Sequence, residues 1–231
     1  MKILVQVLVR NNASLIPHFQ QMFERLKPLA DFELWFYEND SIDGTKELLF
    51  GNVLSETNPL PGLTRTQRLA EYRNKLKDHV TSAADFVLLI DSNIFFSAKS
   101  LETMLETMKS FPDVNMVVPH AMVKTSLPCT FYYDTFAVGV DQFTSLLPCE
   151  HAGPRHDRHC HRVTGRPPMI QTDERHHRLA RGFGGFVLVR YEAFQKAKWS
   201  VNTPDDCEHW NFCSMIGPIL LDRESRVIWV E

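Results

Sequence analysis

Three short apolar runs in the first half of the chain alternate with stretches of helical period, and that alternation leaves very few folds open. The runs are Ile3 to Val9, Phe32 to Tyr37 and Phe86 to Ile90. Each is rich in Val, Ile, Leu and aromatic residues and gives way to polar ones, as strands of a doubly covered parallel sheet do. Between the runs, Ser14 to Leu26 carries Leu15, Phe19, Met22, Phe23 and Leu26 at helical spacing, and Thr64 to His79 sets Leu69, Tyr72 and Leu76 on one face. Strand, helix and strand in turn predict an α/β fold with a mostly parallel central sheet flanked by helices.

The second half continues the pattern less regularly. A helix is expected over Ser100 to Ser110 and a strand over Asn115 to Pro119. From about Pro148 to His177 the chain is rich in His, Arg, Pro and Asp and poor in aliphatics, and reads as a long surface loop. A strand returns at Gly185 to Val189, a short helix at Tyr191 to Ala197, and a last strand at Val227 to Val230. The 231 residues suit one well-buried core and are few for two.

A net charge of −3 argues against a general nucleic-acid binder, so no nucleic-acid partner is expected. No stretch approaches the roughly 20 apolar residues needed to cross a bilayer. The opening Met1 to Arg10 lacks the long apolar run and small-residue cleavage site of a secretion signal, and reads as a first strand. Five cysteines at irregular spacing suit a reducing compartment, which predicts a cytoplasmic location.

Five short motifs carry the candidate chemistry. The first, Tyr37-Glu38-Asn39-Asp40-Ser41-Ile42-Asp43-Gly44-Thr45, follows a strand and is expected to precede a helix. Ligands of an open parallel sheet sit outside the carboxyl ends of its strands, where such carboxylates and amides can meet a base and ribose. The plainer alternative is a turn in which Asp43 or Ser41 caps the next helix. The second is Asp91-Ser92-Asn93 at the end of the most apolar strand, a carboxylate and an amide two residues apart that can face a divalent cation and a diphosphate. The alternative is a capped turn with Asn93 in solvent. The third is Arg65, Arg68, Arg73 and Asn74 on the preceding helix, where arginines suit phosphate or form a solvated basic face. The fourth is Arg181-Gly182-Phe183-Gly184-Gly185, whose glycines permit close backbone approach or a bend. The fifth is Asp205-Asp206-Cys207-Glu208-His209-Trp210, a candidate general base beside a candidate metal ligand, or a charged helix start capped by Thr203 or Asp205.

In this order the five motifs resemble the GT-A glycosyltransferases over about residues 3 to 215. Tyr132-Tyr133-Asp134-Thr135-Phe136-Ala137 and Cys207-Glu208-His209 are similar to the fungal capsule-associated α-mannosyltransferases among them. The resemblance implies a single Rossmann-like domain, with a nucleotide-sugar half over about 1–112 and an acceptor half over about 113–231. It implies transfer of a hexosyl or deoxyhexosyl group from a nucleoside-diphosphate sugar to a glycan or other hydroxyl acceptor, assisted by Mn²⁺ or Mg²⁺.

Position by position, the resemblance implies that Val9, Arg10, Asn11, Glu38, Asp43, Arg68 and Arg73 surround the nucleotide. Gly184, Gly185 and Trp210 would shape the sugar sites. Asp91 and Asn93 stand where the family's metal-binding Asp-x-Asp stands, with His209 as a further ligand. Glu208, or Asp206 after it, would be the base of an inverting transfer. The neutral amide of Asn93 departs from the family's second aspartate. That departure keeps a second reading open, a carbohydrate- or nucleotide-binding module with a degraded site. A nucleotidyltransferase is a third, without the Gly-rich, Lys-bearing loop near residue 10. Cys149, His151, His156, His159, Cys160 and His161 have zinc-ligand chemistry but no regular paired spacing, and read first as part of an acceptor loop.

Overall fold

The computed structural model describes residues 1–57, 60–124, 130–132, 137, 175–203 and 206–230. The strands read from the sequence form the centre of the sheet. β1 (Lys2–Val9) lies between β2 (Asp31–Asn39) and β4 (Phe86–Asp91), parallel to both. β3 (Asn52–Glu56) adds a further parallel strand outside β2. The order β3-β2-β1-β4 changes direction between β1 and β4, so a crevice opens outside their carboxyl ends. Ile3, Leu4, Val5 and Val7 have no exposed surface, which is why β1 reads as a continuous apolar run rather than an alternating one.

Helices cover both faces. On one side α1 (Ile16–Glu24) sets Phe19 and Phe23 against Phe36, Phe50 and Phe96 with tilted and edge-on rings. On the other side α2 (Arg65–His79) stacks Tyr72 on Tyr37 of β2 with centroids 4.7 Å apart. Thr64 starts α2 with a capping box: its side chain accepts from the Gln67 N–H while Gln67 accepts from the Thr64 N–H. Ser97 and Ser100 do the same for α3 (Ala98–Ser110).

Beyond β4 the sheet becomes mixed. A short β5 (Ile94–Phe95) follows the Asp91 turn, and β6 (Met116–Lys124) and β7 (Thr130–Tyr132) form an antiparallel pair. β8 (His176–Leu179) leads to β9 (Phe186–Arg190), which runs antiparallel to β4 on one side and β6 on the other. The short α4 (Tyr191–Lys196) and α5 (His209–Ile216) precede β10 (Ile219–Trp229), which pairs with β5, β6 and β8.

Several sequence expectations are corrected here. The last strand is not confined to Val227–Val230 but begins at Ile219. Its apolar run is broken by Asp222-Arg223-Glu224-Ser225-Arg226, where a bulge shifts the register against Pro119 and His120. β8 begins inside the stretch read as a loop, because His176 and His177 take strand positions opposite Asp222 and Leu221. No α-helix follows Thr45. Lys46–Leu48 is one 3₁₀ turn that runs on to the unanticipated β3. The histidine- and cysteine-bearing stretch from Cys149 to His161, residues 133–136 and Asp205 lie outside the described residues.

Candidate active site

The carboxyl ends of β1, β2 and β4 are tied into one platform by side chains of the loops that follow them. Asn11, with φ of 50°, accepts the Ile42 N–H on its Oδ1 at 2.9 Å, and its own N–H donates to Ser41 Oγ at 3.1 Å. The Asn12 N–H donates to Thr45 Oγ1 at 2.7 Å, and its side-chain amide donates to Ser92 Oγ beside Asp91. Asp43 accepts the Ala13 N–H, the Thr45 N–H and the Thr45 hydroxyl. The Thr45 hydroxyl and these backbone donors hold the Asp43 carboxyl below its usual range. Glu38 is buried, accepting from the Ser41 N–H at 2.9 Å and the Ser55 hydroxyl at 2.6 Å. Glu38 therefore supports the loop from inside, the exposed Asp43 ties the loops after β1 and β2 together, and Val9 is a core residue. Arg10 is exposed at the rim, and with Arg68 and Asp40 it acts electrostatically on the nearly buried Tyr72.

Asp91 ends β4 at the centre of the crevice. Its Oδ1 accepts from Nη2 of Arg73 at 2.9 Å. The arginine side chain is itself buried, its guanidinium carbon 4.8 Å from the Phe183 ring centroid, and among the described residues its Nε has no hydrogen-bond partner. The Asp91 N–H donates to the Gly185 carbonyl at 2.8 Å, which seats the Gly184-Gly185 corner alongside the carboxylate. Both glycines have positive φ, 68° and 70°. A Cβ on Gly185 would stand 2.6 Å from Ile94 and 3.4 Å from Asp91 Oδ2, so the approach of this corner to Asp91 requires glycine there.

The acidic motif closes the crevice from the other side. Glu208, only 6% exposed, is the residue before α5 and lies within electrostatic range of Arg73, Asp91 and Arg65. Burial pushes its carboxyl pKa up, against the attraction of Arg73. His209 stacks on Phe183, 3.7 Å between centroids at 14°. Its Nδ1 accepts from the Trp199 indole N–H at 3.4 Å, and its Nε2 lies 3.4 Å from Glu208 Oε1. Burial, reinforced by Arg73, holds its pKa well below the ordinary value, so the ring is neutral. Arg181 lies over the Trp210 ring at 4.2 Å.

The structure thus brings Asp91, Arg73, Gly185, Glu208 and His209 together and keeps others apart. Asp206 accepts the Thr203 N–H at 3.0 Å and closes a turn. The Asn93 side chain donates to the Val230 carbonyl at 3.1 Å and so fastens β5 to the end of β10. His209, with both nitrogens facing protein groups, is turned into the core. Among the described residues, no group of three His, Cys, Asp or Glu is arranged to hold a metal ion. A cation here would rest on Asp91 and on oxygens brought by a ligand, a mode familiar for Mg²⁺ with phosphates. Trp199 was not singled out in the sequence, because its contact with His209 is tertiary and no local pattern marks it. Asn74 was signalled only by its place next to Arg73.

No protein-family model matches the chain, and no curated protein sequence matches it. Solved structures do. The chain is similar to Staphylococcus aureus TarS residues 1–349, at a TM-score of 0.58 and 13% identity, over all of this chain and 60% of that one. A TarS complex with UDP-GlcNAc gives 0.57 and 11%, over 100% and 59%. The mannosyltransferase PcManGT from Pyrobaculum calidifontis, in complex with GDP-Man and Mn²⁺, gives 0.57 and 14%, over 98% and 56%. The fold is that of the GT-A glycosyltransferases. The chain spans about 60% of the length of these structures. These structures do not bear on the similarity to the fungal capsule enzymes in particular.

Proposed function

We propose that the protein is a glycosyltransferase that moves a sugar from a nucleoside-diphosphate sugar to a hydroxyl acceptor with inversion at the anomeric carbon. One observation carries the reading. At the carboxyl ends of β1 and β4, in a GT-A fold, a half-buried Asp91 and a buried Glu208 flank the same buried arginine beside a corner that only glycine can make. Arg65, within electrostatic range of Glu208, and Arg68 and Arg10, within range of Tyr72, supply positive charge for a diphosphate. The nucleotide would lie over the loops after β1 and β2, with its sugar between the Gly184-Gly185 corner and Trp210.

Glu208 takes the proton of the acceptor hydroxyl as its oxygen bonds to the anomeric carbon. The bond from that carbon to the phosphate oxygen breaks, and its electron pair leaves with the nucleoside diphosphate. The buried carboxyl, with its pKa raised by desolvation against the pull of Arg73, is a stronger base in its ionised form than a solvated one. Asp91 fits a divalent cation carried in with the diphosphate, because Oδ1 is held by Arg73 while 29% of the side chain stays exposed to meet one. Such a cation supplies charge neutralisation on the leaving group. The solved complexes of PcManGT with Mn²⁺ and of TarS with UDP-GlcNAc support both the donor class and the cation. A cytoplasmic setting and the division at about residue 112 belong to the same reading.

Asn93 favours one competing reading, a binding module with a lapsed site, since its amide is spent on Val230. Incubation with donor sugars separates the two: an enzyme releases free nucleoside diphosphate and a binding module does not.

A further inference from the structure

The segment Ala197–Trp199 lies across α2 and is fastened there with more care than a connection requires. The Asn74 side chain donates to the Trp199 carbonyl at 2.8 Å and accepts the Trp199 N–H at 3.0 Å, pairing with one residue's backbone as a neighbouring strand would. Lys77 donates to the Gln195 and Ala197 carbonyls just upstream. The indole is then clamped by Phe212, 4.0 Å away at an interplanar angle of 4°. Held at both ends, the Trp199 ring has one orientation in which its N–H can point, and that direction is Nδ1 of His209. Trp199, Asn74 and His209 are all buried.

A donor at Nδ1 determines the tautomer of a neutral imidazole. Nδ1 must be the lone-pair nitrogen, so the ring proton sits on Nε2. Nε2 faces Glu208 Oε1 at 3.4 Å. We propose that Asn74, Trp199 and His209 form a positioning relay in which the indole N–H fixes the Nε2–H tautomer of His209 and that N–H aims the Glu208 carboxylate. The proposal rests on the assignment of Glu208 as the general base. Oε1 is then the held oxygen and Oε2, which among the described residues accepts from the weak Cys207 thiol donor at 3.8 Å, is the one that receives the proton. Phe183 fixes the ring plane by stacking, and the Arg73 guanidinium carbon lies 4.8 Å from the Phe183 centroid. All three relay residues are buried rather than exposed at the crevice. Their effect is on the direction of one carboxylate, which would explain why α2 reaches across to a connection that is otherwise only a link between α4 and α5.

The test uses the full chain labelled with ¹⁵N-histidine. His209 is identified by the resonances lost in His209→Gln. The relay predicts a pyridine-like Nδ1 and a pyrrole-like Nε2 for His209, and in Trp199→Phe, which keeps the stack on Phe212 and loses only the N–H, a mixture of tautomers or the reverse one. In nucleoside diphosphate release from UDP-N-acetylglucosamine or GDP-mannose with Mn²⁺, whichever the wild type turns over, Trp199→Phe should lower kcat about 10- to 100-fold and leave the donor KM within about twofold, as loss of aim without loss of binding does. A pyridine-like Nε2 in the wild type, or an unchanged kcat in a folded Trp199→Phe, overturns the relay. Undiminished turnover in Glu208→Gln overturns the base assignment and the relay with it, so the two failures are told apart by which variant keeps its activity.

Discussion

Asp91 and Glu208 hold the account at the scale of single residues, since each is a carboxylate with a distinct environment around one arginine. Asp91 has 29% of its side chain exposed and is ion-paired, whereas Glu208 is buried. Asp91→Ala is expected to reduce turnover by more than about 100-fold, since a partly buried group facing the leaving diphosphate acts in the transition state. It should leave the far-ultraviolet circular dichroism spectrum unchanged. Glu208→Gln should keep donor affinity, measured by calorimetry, and lose about 10²–10⁴-fold in transfer rate. The pH dependence follows from the same burial. The base must be ionised to act, and its pKa is raised, so kcat/KM should fall on the acid side at a pH above the range of a solvated glutamate. An acid limb at or below that range would place the base elsewhere.

Two elements position these residues, the glycine corner before β9 and the helix α2, and each makes a prediction of its own. A methyl at 185 would meet Ile94 at 2.6 Å on a backbone with φ of 70°, so Gly185→Ala should cost about 1–3 kcal/mol of unfolding free energy and disturb Asp91. Asn74→Ala leaves the buried Trp199 N–H and C=O unpaired, which should cost about 2–4 kcal/mol by chemical denaturation. These elements also show what a sequence discloses. The buried strands were legible because burial on both faces leaves an unbroken apolar run, and α2 because Leu69, Tyr72 and Leu76 fall on one helical face. β10 was only partly legible, because its ladder partners rather than its own composition hold Asp222 to Arg226 in place. Asp222, fully buried, is satisfied by Thr107, Arg175 and the Glu224 N–H, residues no local window can pair with it. The site was legible as motifs but not as roles. Glu38 and Asp43 read like ligand contacts, and no local window shows that their carboxylates also accept from Ser41, Ser55, Ala13 and Thr45. His209 read like a metal ligand, yet Trp199, distant from any motif, turns it inward.

The whole molecule places the crevice at the carboxyl ends of the central parallel strands. Near the opposite edge, Glu33 is held at about 2 by Lys2, Ser82 and Trp35, a cluster that ties β1 to β2 far from the crevice. Among the described residues no helix is long and apolar enough to cross a membrane. The central claim, donor cleavage at the crevice around Asp91, is tested most directly by measuring free nucleoside diphosphate released from a panel of UDP-, GDP- and dTDP-sugars with Mn²⁺, with Asp91→Ala run in parallel. The account predicts release from at least one donor by the wild type, stimulated by hydroxyl acceptors and abolished in Asp91→Ala. Release that is undiminished in Asp91→Ala, or no release from any donor that the wild type demonstrably binds, would contradict it.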